Sequence, residues 1–257
     1  MTVIKNALIT GGSKRVGEAM ARDLASHGWR VGVHYHQSSE DADILVQEIG
    51  NAGGEAVALQ ADLTDINSTQ ALFQKGESKL GPISLLVNNA SVFEPDEAIA
   101  PDMELWDEHF DVHLRAPSLL ASAMAQAATA AQDDIDRLVV NIIDQRVWAL
   151  TPKFFSYTLS KSALWTATQT MAQAFAPLGL RVNAIGPGPT LKNIRQETED
   201  FEAQTSHVPL GRGADLSEFG ATLRYMFEAK SMTGQMLALD GGQHLAWETP
   251  DVTAANE

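Results

Sequence analysis

Three residues near the middle of the chain have the types and spacing needed for proton transfer. Asp144 follows a short apolar run, residues 138–143, while Tyr157 comes 13 residues later and Lys161 four residues after that. Side chains four residues apart lie on one face of a helix, so Tyr157 and Lys161 are expected to point together toward the end of the preceding strand. An adjacent ammonium favours the phenolate, which lowers the phenol's pKa from about 10 and makes it a general acid near neutral pH. Asp144 is placed to join this proton network.

The Tyr-x-x-x-Lys spacing is a weak signal by itself, because these residues are common on exposed helix faces. The elements that position them therefore decide its meaning. Apolar runs that predict strands alternate along the chain with patterns that predict helices. The predicted strands are residues 3–9, 31–35, 56–59, 83–87, 138–143, 181–185 and 236–239. The predicted helices are residues 16–25, 42–49, 66–80, 103–129 with a bend near Pro117, 155–176 and 216–227.

This alternation predicts an α/β protein, a single Rossmann-type domain with a doubly wound parallel sheet of about seven strands and helices on both faces. Residues 1–247 are predicted to form the domain, and residues 248–257 a polar, frayed tail. In such sheets ligands bind beyond the carboxyl ends of the strands, where the candidate residues lie. Residues 190–213 are expected to be long and irregular, a candidate lid over the site.

Composition limits the possible functions. The 257 residues, 44% of them hydrophobic, can bury one substantial core. The formal net charge of −15 argues against nucleic acid or an anionic membrane as a partner. Without cysteine there is no disulfide framework, thiol nucleophile or thiolate metal site, and no metal site is predicted. The sequence shows no bilayer-spanning apolar stretch and no signal-peptide pattern, so a cytoplasmic enzyme is expected.

A glycine-containing loop, residues 10–17, connects the first strand to the first helix and reads Thr-Gly-Gly-Ser-Lys-Arg-Val-Gly. Glycines let the backbone approach a pyrophosphate, and the helix N-terminus supplies N–H donors. The pattern is incomplete, since Arg15 stands where a Thr-Gly-x-x-x-Gly-x-Gly loop has glycine. Its position between strand and helix favours a dinucleotide site over an ordinary turn.

The end of the second strand bears on which dinucleotide binds. An NAD site has Asp or Glu here to hold the ribose 2′-hydroxyl, but residues 34–38 read His-Tyr-His-Gln-Ser and the first carboxylate is Glu40. The absence favours NADPH. The predicted donors to its 2′-phosphate are Lys14, His34, Gln37 and Ser38. The alternative is that His34 and His36 are ordinary, half-buried strand residues.

With these motifs in place, the chain resembles the short-chain dehydrogenase/reductase family. The motifs follow the family's order along nearly the whole chain: Thr10-Gly11, Asp62-Leu63, Asn88-Asn89-Ala90, Tyr157 with Lys161, Pro187-Gly188 and Asp240-Gly241-Gly242. The resemblance implies that Tyr157 and Lys161 are catalytic. It also suggests a homotetramer, in which the helices at 103–129 and 155–176 pack across an interface.

Within that family the chain is most similar to the pteridine reductases, including the bacterial dihydromonapterin reductases. Asp144 stands where most members have serine, and Arg15 where they have glycine, as in the pteridine reductases. Ser91 and Phe93 match residues that there bond the pterin and stack its ring against the nicotinamide. His113 stands where most members carry an asparagine that helps order a proton-relay water.

The resemblance, together with the loop chemistry, assigns three sets of residues. The catalytic set is Asp144, Tyr157 and Lys161. The cofactor-binding set, for NADP(H), is Gly11, Lys14, Arg15, Val16, Gly17, His34, Gln37, Ser38, Asp62, Leu63, Asn89, Ala90, Ser91, Tyr157, Lys161, Pro187, Gly188 and Thr190. The substrate-binding set is Arg15, Ser91, Phe93, Asp144 and Tyr157, and Trp148 and residues 190–212 are expected to shape the pocket.

The implied activity is NADPH-dependent reduction of a dihydropterin C=N bond, with Asp144 and Tyr157 supplying the proton. Each of four residues also has a purely structural alternative. Asp144 would cap a turn, Phe93 would belong to the core, Arg15 would form a surface ion pair, and His113 would be a structural histidine. Two other functions stay open for the chain. One is an NADPH-dependent carbonyl or 3-oxoacyl reductase, and the other is a non-catalytic dinucleotide-binding sensor.

Overall fold

The computed structural model describes residues 5–131, 133–193 and 195–247. Seven parallel strands form one sheet in the order β3-β2-β1-β4-β5-β6-β7, with helices on both faces. The predicted doubly wound α/β fold is therefore confirmed. The strands are β1 (Asn6–Ile9), β2 (Arg30–Tyr35), β3 (Glu55–Gln60), β4 (Leu85–Asn88), β5 (Arg137–Ile142), β6 (Leu180–Pro187) and β7 (Met236–Leu239). The predicted tail, residues 248–257, and the predicted strand residues 3 and 4 lie outside the described residues.

The strand order reverses at β1, which pairs with β2 on one side and β4 on the other. Ile9 at the end of β1 is level with Val33 of β2 and Val87 of β4. The chain leaves these neighbouring strands toward opposite faces of the sheet, which opens a crevice beyond their carboxyl ends. The loops after β1, β4, β5 and β6 meet at this crevice.

The described residues form eight α-helices, most of which cover the two faces of the sheet. They are α1 (Arg15–Ser26), α2 (Ser39–Asn51), α3 (Ile66–Leu80), α4 (Met103–Phe110), α5 (Ala116–Ala131), α6 (Phe155–Phe175), α7 (Thr198–Ser206) and α8 (Leu216–Glu228). Two large apolar clusters fill the space between helices and sheet. Met20 and Phe219 belong to the first cluster, with α1 and α8, and Leu72 and Leu120 to the second, with α3 and α5. No described helix is long and apolar enough to cross a membrane.

The long helix predicted at 103–129 is interrupted by a turn of π-helix, Asp111–Arg115. There the amide of Ala116 bonds the carbonyl of Asp111, five residues back. Pro117 follows, and it has no N–H with which to continue the α-helical ladder. The helix was expected to be broken or bent near Pro117, and the break is confirmed. His113 lies within the wider π-helical turn.

The lid segment, predicted to be irregular at 190–213, contains α7 (Thr198–Ser206). This part of the prediction was wrong. Glu199 and Asp200 lie in the first turn of α7, where negative side chains interact favourably with the helix dipole. Glu199 and Asp200 therefore signal the start of a helix, and their side chains are exposed.

Candidate active site

One cavity of about 630 Å³ lies beyond the carboxyl ends of β1, β4, β5 and β6. This volume suits a cofactor together with a small ligand. Fifteen of the predicted site residues line it: Gly11, Lys14, Arg15, Val16, Gly17, Asn89, Ala90, Ser91, Phe93, Asp144, Tyr157, Lys161, Pro187, Gly188 and Thr190. His34, Gln37, Ser38, Asp62 and Leu63 are not among its lining residues.

Tyr157 and Asp144 are joined by a hydrogen bond at the centre of this cavity. The phenol Oη donates to Asp144 Oδ2 at 3.0 Å, while Oδ1 of the same carboxylate accepts the amide of Arg146 at 2.8 Å. Asp144 begins the loop after β5, and Tyr157 lies in the first turn of α6. Asp144 therefore does cap a turn, but its second oxygen is used for the phenol.

The titration behaviour of this pair differs from the sequence-based expectation. Burial, reinforced by the negative charge of Asp144, raises the pKa of Tyr157 well above its usual value of 10.0. Burial likewise raises the pKa of Asp144 from 3.8, although the Arg146 amide and side chain oppose the shift. The expectation that Lys161 lowers the phenol's pKa is therefore wrong for this geometry, because the carboxylate and desolvation dominate. The carboxyl group is the member of the pair whose pKa moves toward neutrality.

Lys161 is almost completely buried one helical turn after Tyr157. Its ammonium donates to the carbonyl of Ile142 at 2.9 Å and lies 5.7 Å from the centre of the Tyr157 ring. Burial lowers the pKa of Lys161 from 10.5 to about 8, and the Asp144 charge partly offsets this. The three predicted catalytic side chains thus lie together: the carboxylate of Asp144, the phenol of Tyr157 and the ammonium of Lys161.

The glycines of the first loop are required by close packing. A Cβ on Gly17 would lie 2.1 Å from the carbonyl oxygen of Gly11, and one on Gly11 would lie 2.9 Å from Cα of Ala90. Gly11 also has a positive φ of 59°. Arg15 has a φ of 55° where glycine is usual in such loops, which for a residue with a side chain costs about 1–2 kcal/mol. The backbone keeps the glycine-like conformation although the side chain is arginine.

His34 holds this loop and does not face the cavity. It is buried, its Nδ1 accepts the amide of Gly11 at 3.0 Å, and its Nε2 lies 3.2 Å from the carbonyl of Ala61, to which it donates. Burial lowers the pKa of His34 to about 4, so the ring is neutral. The predicted role of His34 as a donor to a 2′-phosphate is wrong, because both ring nitrogens are already bonded within the protein.

The other residues predicted near a 2′-phosphate lie beside the N-terminus of α2. Lys14 pairs with Asp41 at 2.8 Å, with both side chains about half exposed. Ser38 is the N-cap of α2 but makes no side-chain capping bond, and Gln37 is exposed. An uncapped helix N-terminus and a lysine favour a phosphate group, whereas Glu40 and Asp41 in the first turn of α2 oppose it.

Asp62 and Leu63, after β3, are occupied by structural contacts. Oδ1 of Asp62 accepts the amide and the hydroxyl of Thr64, which lower the pKa of the carboxyl group. Leu63 is part of the apolar cluster under α3 and α5. Neither residue lines the main cavity.

The loop after β4 is fastened to the glycine loop by Asn89. The Asn89 amide group donates to the carbonyls of Thr10 and Gly11 at 2.9 and 3.0 Å, and the Thr10 hydroxyl accepts the amide of Ala90 at 3.0 Å. Asn89 therefore fixes the shape of the crevice floor. Across the cavity, Gly188 packs so closely on Asp240 that a Cβ would lie 2.7 Å away, and Thr190 donates to the Gly188 carbonyl.

Phe93 belongs to an aromatic group at the side of the cavity. Its ring stacks on Phe154 at 4.3 Å and 9°, and meets Tyr157 edge-on at 4.8 Å. The guanidinium of Arg146 lies 5.1 Å from the Phe154 ring centre and 5.9 Å from that of Phe93. Phe154 has a left-handed backbone, φ 56°, as it begins α6.

Sequence reasoning missed Arg146 and Phe154 as parts of this site. Arg146 lines the cavity, and its two-residue distance from Asp144 at a strand end was a usable signal. Nothing in the sequence marks Phe154, whose place depends on its unusual backbone. Trp148 was expected to shape the pocket, but it does not line the cavity and instead packs near Trp165 and His244.

Two arginines connect the lid segment to the rest of the site. Arg15 donates to the carbonyls of Lys192 and Leu191 at 3.0 and 3.3 Å. Arg195, from the lid itself, pairs with Glu94 at 2.6 Å and donates to the carbonyl of Phe93. Lid residues line the cavity as expected, namely Thr190, Leu191, Asn193, Arg195, Gln196, Phe201 and Gln204.

His113 lies beneath the loop after β4 and is almost fully buried in the π-helical turn. Its Nε2 accepts the amide of Val92 at 3.0 Å and lies 3.0 Å from the hydroxyl of Ser91. Its Nδ1 lies 2.9 Å from the Ser160 hydroxyl, which donates to the carbonyl of Tyr157 at 2.8 Å. The ring thus bridges the loop that carries Ser91 and Phe93 to the helix that carries Tyr157.

The donor set of the cavity fits a dinucleotide. Lys14, the N-cap of α1, makes no side-chain capping bond, so the first-turn amides beside Gly11 and Gly17 are available to an anion. Lys161 and Phe93 line the same cavity, together with Asp144 and Tyr157. A phosphate-binding end and a proton-transfer end are therefore present in one crevice.

Comparison with known proteins agrees with this arrangement. Residues 12–244 match the family described as Enoyl-(Acyl carrier protein) reductase, a group of short-chain dehydrogenases/reductases. The chain belongs to the short-chain dehydrogenase/reductase family, and it is an oxidoreductase of that family.

Two solved structures and one sequence relative are similar to this chain over nearly its whole length. The chain is 54% identical to the structure of FolM Alternative dihydrofolate reductase 1 from Brucella canis complexed with NADP, with a TM-score of 0.93 and 98% of each chain covered. It is 55% identical to the Brucella suis protein of the same name in complex with NADP, also with a TM-score of 0.93, over 98% of this chain and 99% of that one. A 3-oxoacyl-[acyl-carrier-protein] reductase from Synechocystis is 31% identical over 241 residues, which cover 92% of this chain and 95% of the relative.

Proposed function

We propose that the protein is an NADPH-dependent reductase of a dihydropterin, of the pteridine or dihydromonapterin reductase type. The hydrogen bond from Tyr157 to Asp144 carries the proposal. A carboxylic acid beside a phenol forms a proton store suited to a ring nitrogen, which is more basic than a ketone oxygen. Two FolM alternative dihydrofolate reductases, each more than 50% identical over nearly the whole chain, support a reduced-pterin substrate, because dihydrofolate contains a dihydropterin ring.

The residues that would hold the cofactor divide by position. Amides of residues 14–17 and the Lys14 side chain would bind phosphate, and Ser38 and Gln37 the 2′-phosphate. The ribose next to the nicotinamide would contact Lys161 and Tyr157, while Asn89, Ala90, Pro187, Gly188 and Thr190 would surround the rest. Bound NADPH supplies a hydride to the substrate carbon.

The protein's own groups would supply the proton. Because Tyr157 has a strongly raised pKa, its phenol stays protonated at neutral pH and can donate to the substrate nitrogen. After the phenol has given its proton to the substrate, Asp144, whose pKa is raised by burial, takes up a proton from solvent and passes it to the phenolate along their shared hydrogen bond. Lys161 keeps its ammonium beside the pair and stabilises the negative charge that passes through it.

The substrate ring would lie against Phe93. One face of Phe93 is already stacked on Phe154, so a bound ring would use the other face. Ser91 and Arg15, which line the same cavity, would hold polar edges of the ring. A planar aromatic platform next to an acid pair fits a flat heterocycle better than a flexible acyl chain.

A reductase of ketone or 3-oxoacyl substrates is the second candidate, and the Synechocystis relative favours it. A single assay separates the two. NADPH oxidation is measured with a 7,8-dihydropterin, with a simple 3-oxoacyl thioester, and with NADH in place of NADPH. Fast turnover of the dihydropterin that requires NADPH supports the proposal, whereas turnover of the thioester alone refutes it.

The family resemblance also supports a homotetramer, in which α5 and α6 would pack across an interface. Leu159 on α6 is more than a third exposed, and Leu150, just before α6, is 72% exposed. Light scattering of the purified protein tests this part of the proposal. A molecular mass near that of one 27.7 kDa chain would contradict it.

A further inference from the structure

His113 and Ser91 form a hydrogen-bonded unit whose proton positions are fixed by their neighbours. The amide of Val92 is only a donor, and it points at Nε2 of His113 from 3.0 Å. Nε2 must therefore be an acceptor without a proton. In a neutral imidazole the proton then lies on Nδ1, which donates to the Ser160 hydroxyl at 2.9 Å.

Ser160 confirms this direction. Its hydroxyl donates to the carbonyl of Tyr157 at 2.8 Å, so its oxygen is free to accept from Nδ1. Burial and the nearby Lys161 charge lower the pKa of His113 well below 6.5, which keeps the ring neutral. The chain of donors thus runs from His113 through Ser160 to the first turn of α6.

The remaining proton in the unit belongs to Ser91. Its oxygen lies 3.0 Å from the proton-free Nε2, so the hydroxyl donates to the ring and shares the Nε2 lone pair with the Val92 amide. A hydroxyl has one proton. Its competing acceptors are the Val92 carbonyl, at 3.4 Å, and the nearby phenol oxygen of Tyr157, and the 3.0 Å contact with Nε2 is shorter than the contact with that carbonyl. Ser91 therefore presents lone pairs, and not a donor, to the cavity that it lines.

We infer that His113 is a positioning residue that fixes Ser91 as a hydrogen-bond acceptor, so that the site selects substrates with an N–H donor at this edge. The inference rests on the proposed function and deepens it, since dihydropterins carry ring and exocyclic N–H groups. A 3-oxoacyl substrate offers only carbonyl acceptors here and gains nothing from Ser91. The same ring holds the amide of Val92 and with it the loop that carries Phe93.

Two variants of similar size separate the two ends of the ring. His113→Gln places an amide oxygen near the Nε2 position and keeps an acceptor for Ser91 and Val92. His113→Asn places its amide near the Nδ1 position, so it can reach Ser160 but not the loop. Thermal unfolding of both variants is measured first, and each is expected to unfold cooperatively at a temperature close to that of the wild type.

The kinetic test measures KM and kcat for a 7,8-dihydropterin with NADPH. We expect His113→Asn to raise KM about tenfold with a much smaller change in kcat, because one hydrogen bond to substrate loses its orientation. His113→Gln should recover most of the loss, and Ser91→Ala should add little in the His113→Asn background. Equal defects in the Asn and Gln variants, or a defect in kcat alone, would overturn the inference.

A measurement without substrate keeps this outcome separate from that of the proposed function. Two-bond ¹H–¹⁵N correlation spectra of the wild-type protein, with the His113 signals assigned by their loss in His113→Gln, report the tautomer. The inference predicts a neutral ring with the proton on Nδ1, and a proton on Nε2 would overturn it. If the tautomer is as predicted but no dihydropterin is reduced, the proposed function and the substrate selection fail while the orientation of Ser91 stands.

Discussion

The phenol oxygen of Tyr157 lies 3.0 Å from Oδ2 of Asp144, in the position where most members of the family present a serine hydroxyl. The pair is buried, so neither member ionises easily, and the pKa of each is raised. A serine in this position cannot store a proton at neutral pH. A serine at this position can only orient the phenol, whereas Asp144 can also return a proton to it.

Removing the phenol hydroxyl should stop proton transfer without disturbing the walls of the site. In Tyr157→Phe we expect kcat on a dihydropterin to fall by about a hundredfold or more, the scale of general acid catalysis. The ring contact with Phe93 remains, and the affinity for NADPH, measured by fluorescence quenching, should change little. Turnover close to that of the wild type would exclude Tyr157 as the proton donor.

Asp144 should reduce the stability of the protein at neutral pH. Its folded-state pKa is raised by burial, so its favourable contribution is fully present below pH 3.8 and is lost as the pH rises through the folded-state value. Asp144→Asn cannot ionise and avoids this loss. We expect the variant to be more stable than the wild type in urea at pH 7, with an advantage that shrinks toward pH 4.

A pH-independent difference between these two proteins would contradict a raised pKa at Asp144. Tyr157→Phe serves as the matched control in the same unfolding series. This variant keeps the carboxylate of Asp144 but removes the phenol that donates a hydrogen bond to it. Its stability relative to the wild type should therefore fall, where that of Asp144→Asn rises.

Arg15 is expected to lower the stability of the protein slightly and to strengthen substrate binding. Its backbone has a φ of 55°, so Arg15→Gly relieves strain of about 1 kcal/mol and should not lower the melting temperature. The variant loses the two hydrogen bonds from the guanidinium to the lid carbonyls. We expect KM for substrate to rise, with kcat less affected, in steady-state assays. A lowered melting temperature together with an unchanged KM would refute this account of Arg15.

His34 should affect stability and not cofactor choice. His34→Leu leaves the amide of Gly11 and the carbonyl of Ala61 without partners, at a cost of about 3 kcal/mol in the free energy of unfolding. The ratio of NADPH to NADH activity should stay nearly the same. In Ser38→Ala, by contrast, we expect that ratio to fall roughly tenfold, as for loss of a charge-assisted hydrogen bond.

The pH dependence of the wild type gives a second check on His34. Its pKa is about 4 in the folded protein and 6.5 in the unfolded chain. The unfolded state therefore binds more protons between these values, and stability is lost as the pH falls from 6.5 toward 4. His34→Leu should show a flatter profile in this window, and an equally steep one would contradict the neutral, buried ring.

The sequence predicted the regular elements well where local signals agreed. The helix at 66–80 begins after Asp65, whose carboxylate caps it, and both ends matched. The strand at 236–239 also matched, bounded by Gly234 and by Asp240 with two glycines. The catalytic cluster was predictable because its three residues lie on a strand end and the helix that follows it.

What the sequence could not predict depends on tertiary contacts. Nothing local shows that His34 turns into the protein to hold Gly11, since an alternating strand offers both faces. The π-helical turn at His113 follows from Pro117, but its register required the structure. The sequence also could not predict that the pKa values of Tyr157 and Asp144 are both raised, because these shifts depend on burial and on the distance between the two side chains.

The central claim is that Asp144 and Tyr157 together deliver a proton to a ring nitrogen. The most direct measurement compares kcat/KM of the wild type and Asp144→Ser on a 7,8-dihydropterin and on a ketone. We predict that Asp144→Ser lowers the dihydropterin value about a hundredfold, while the ketone value stays the same or rises. An equal loss on both substrates, or unchanged dihydropterin turnover, would contradict the account.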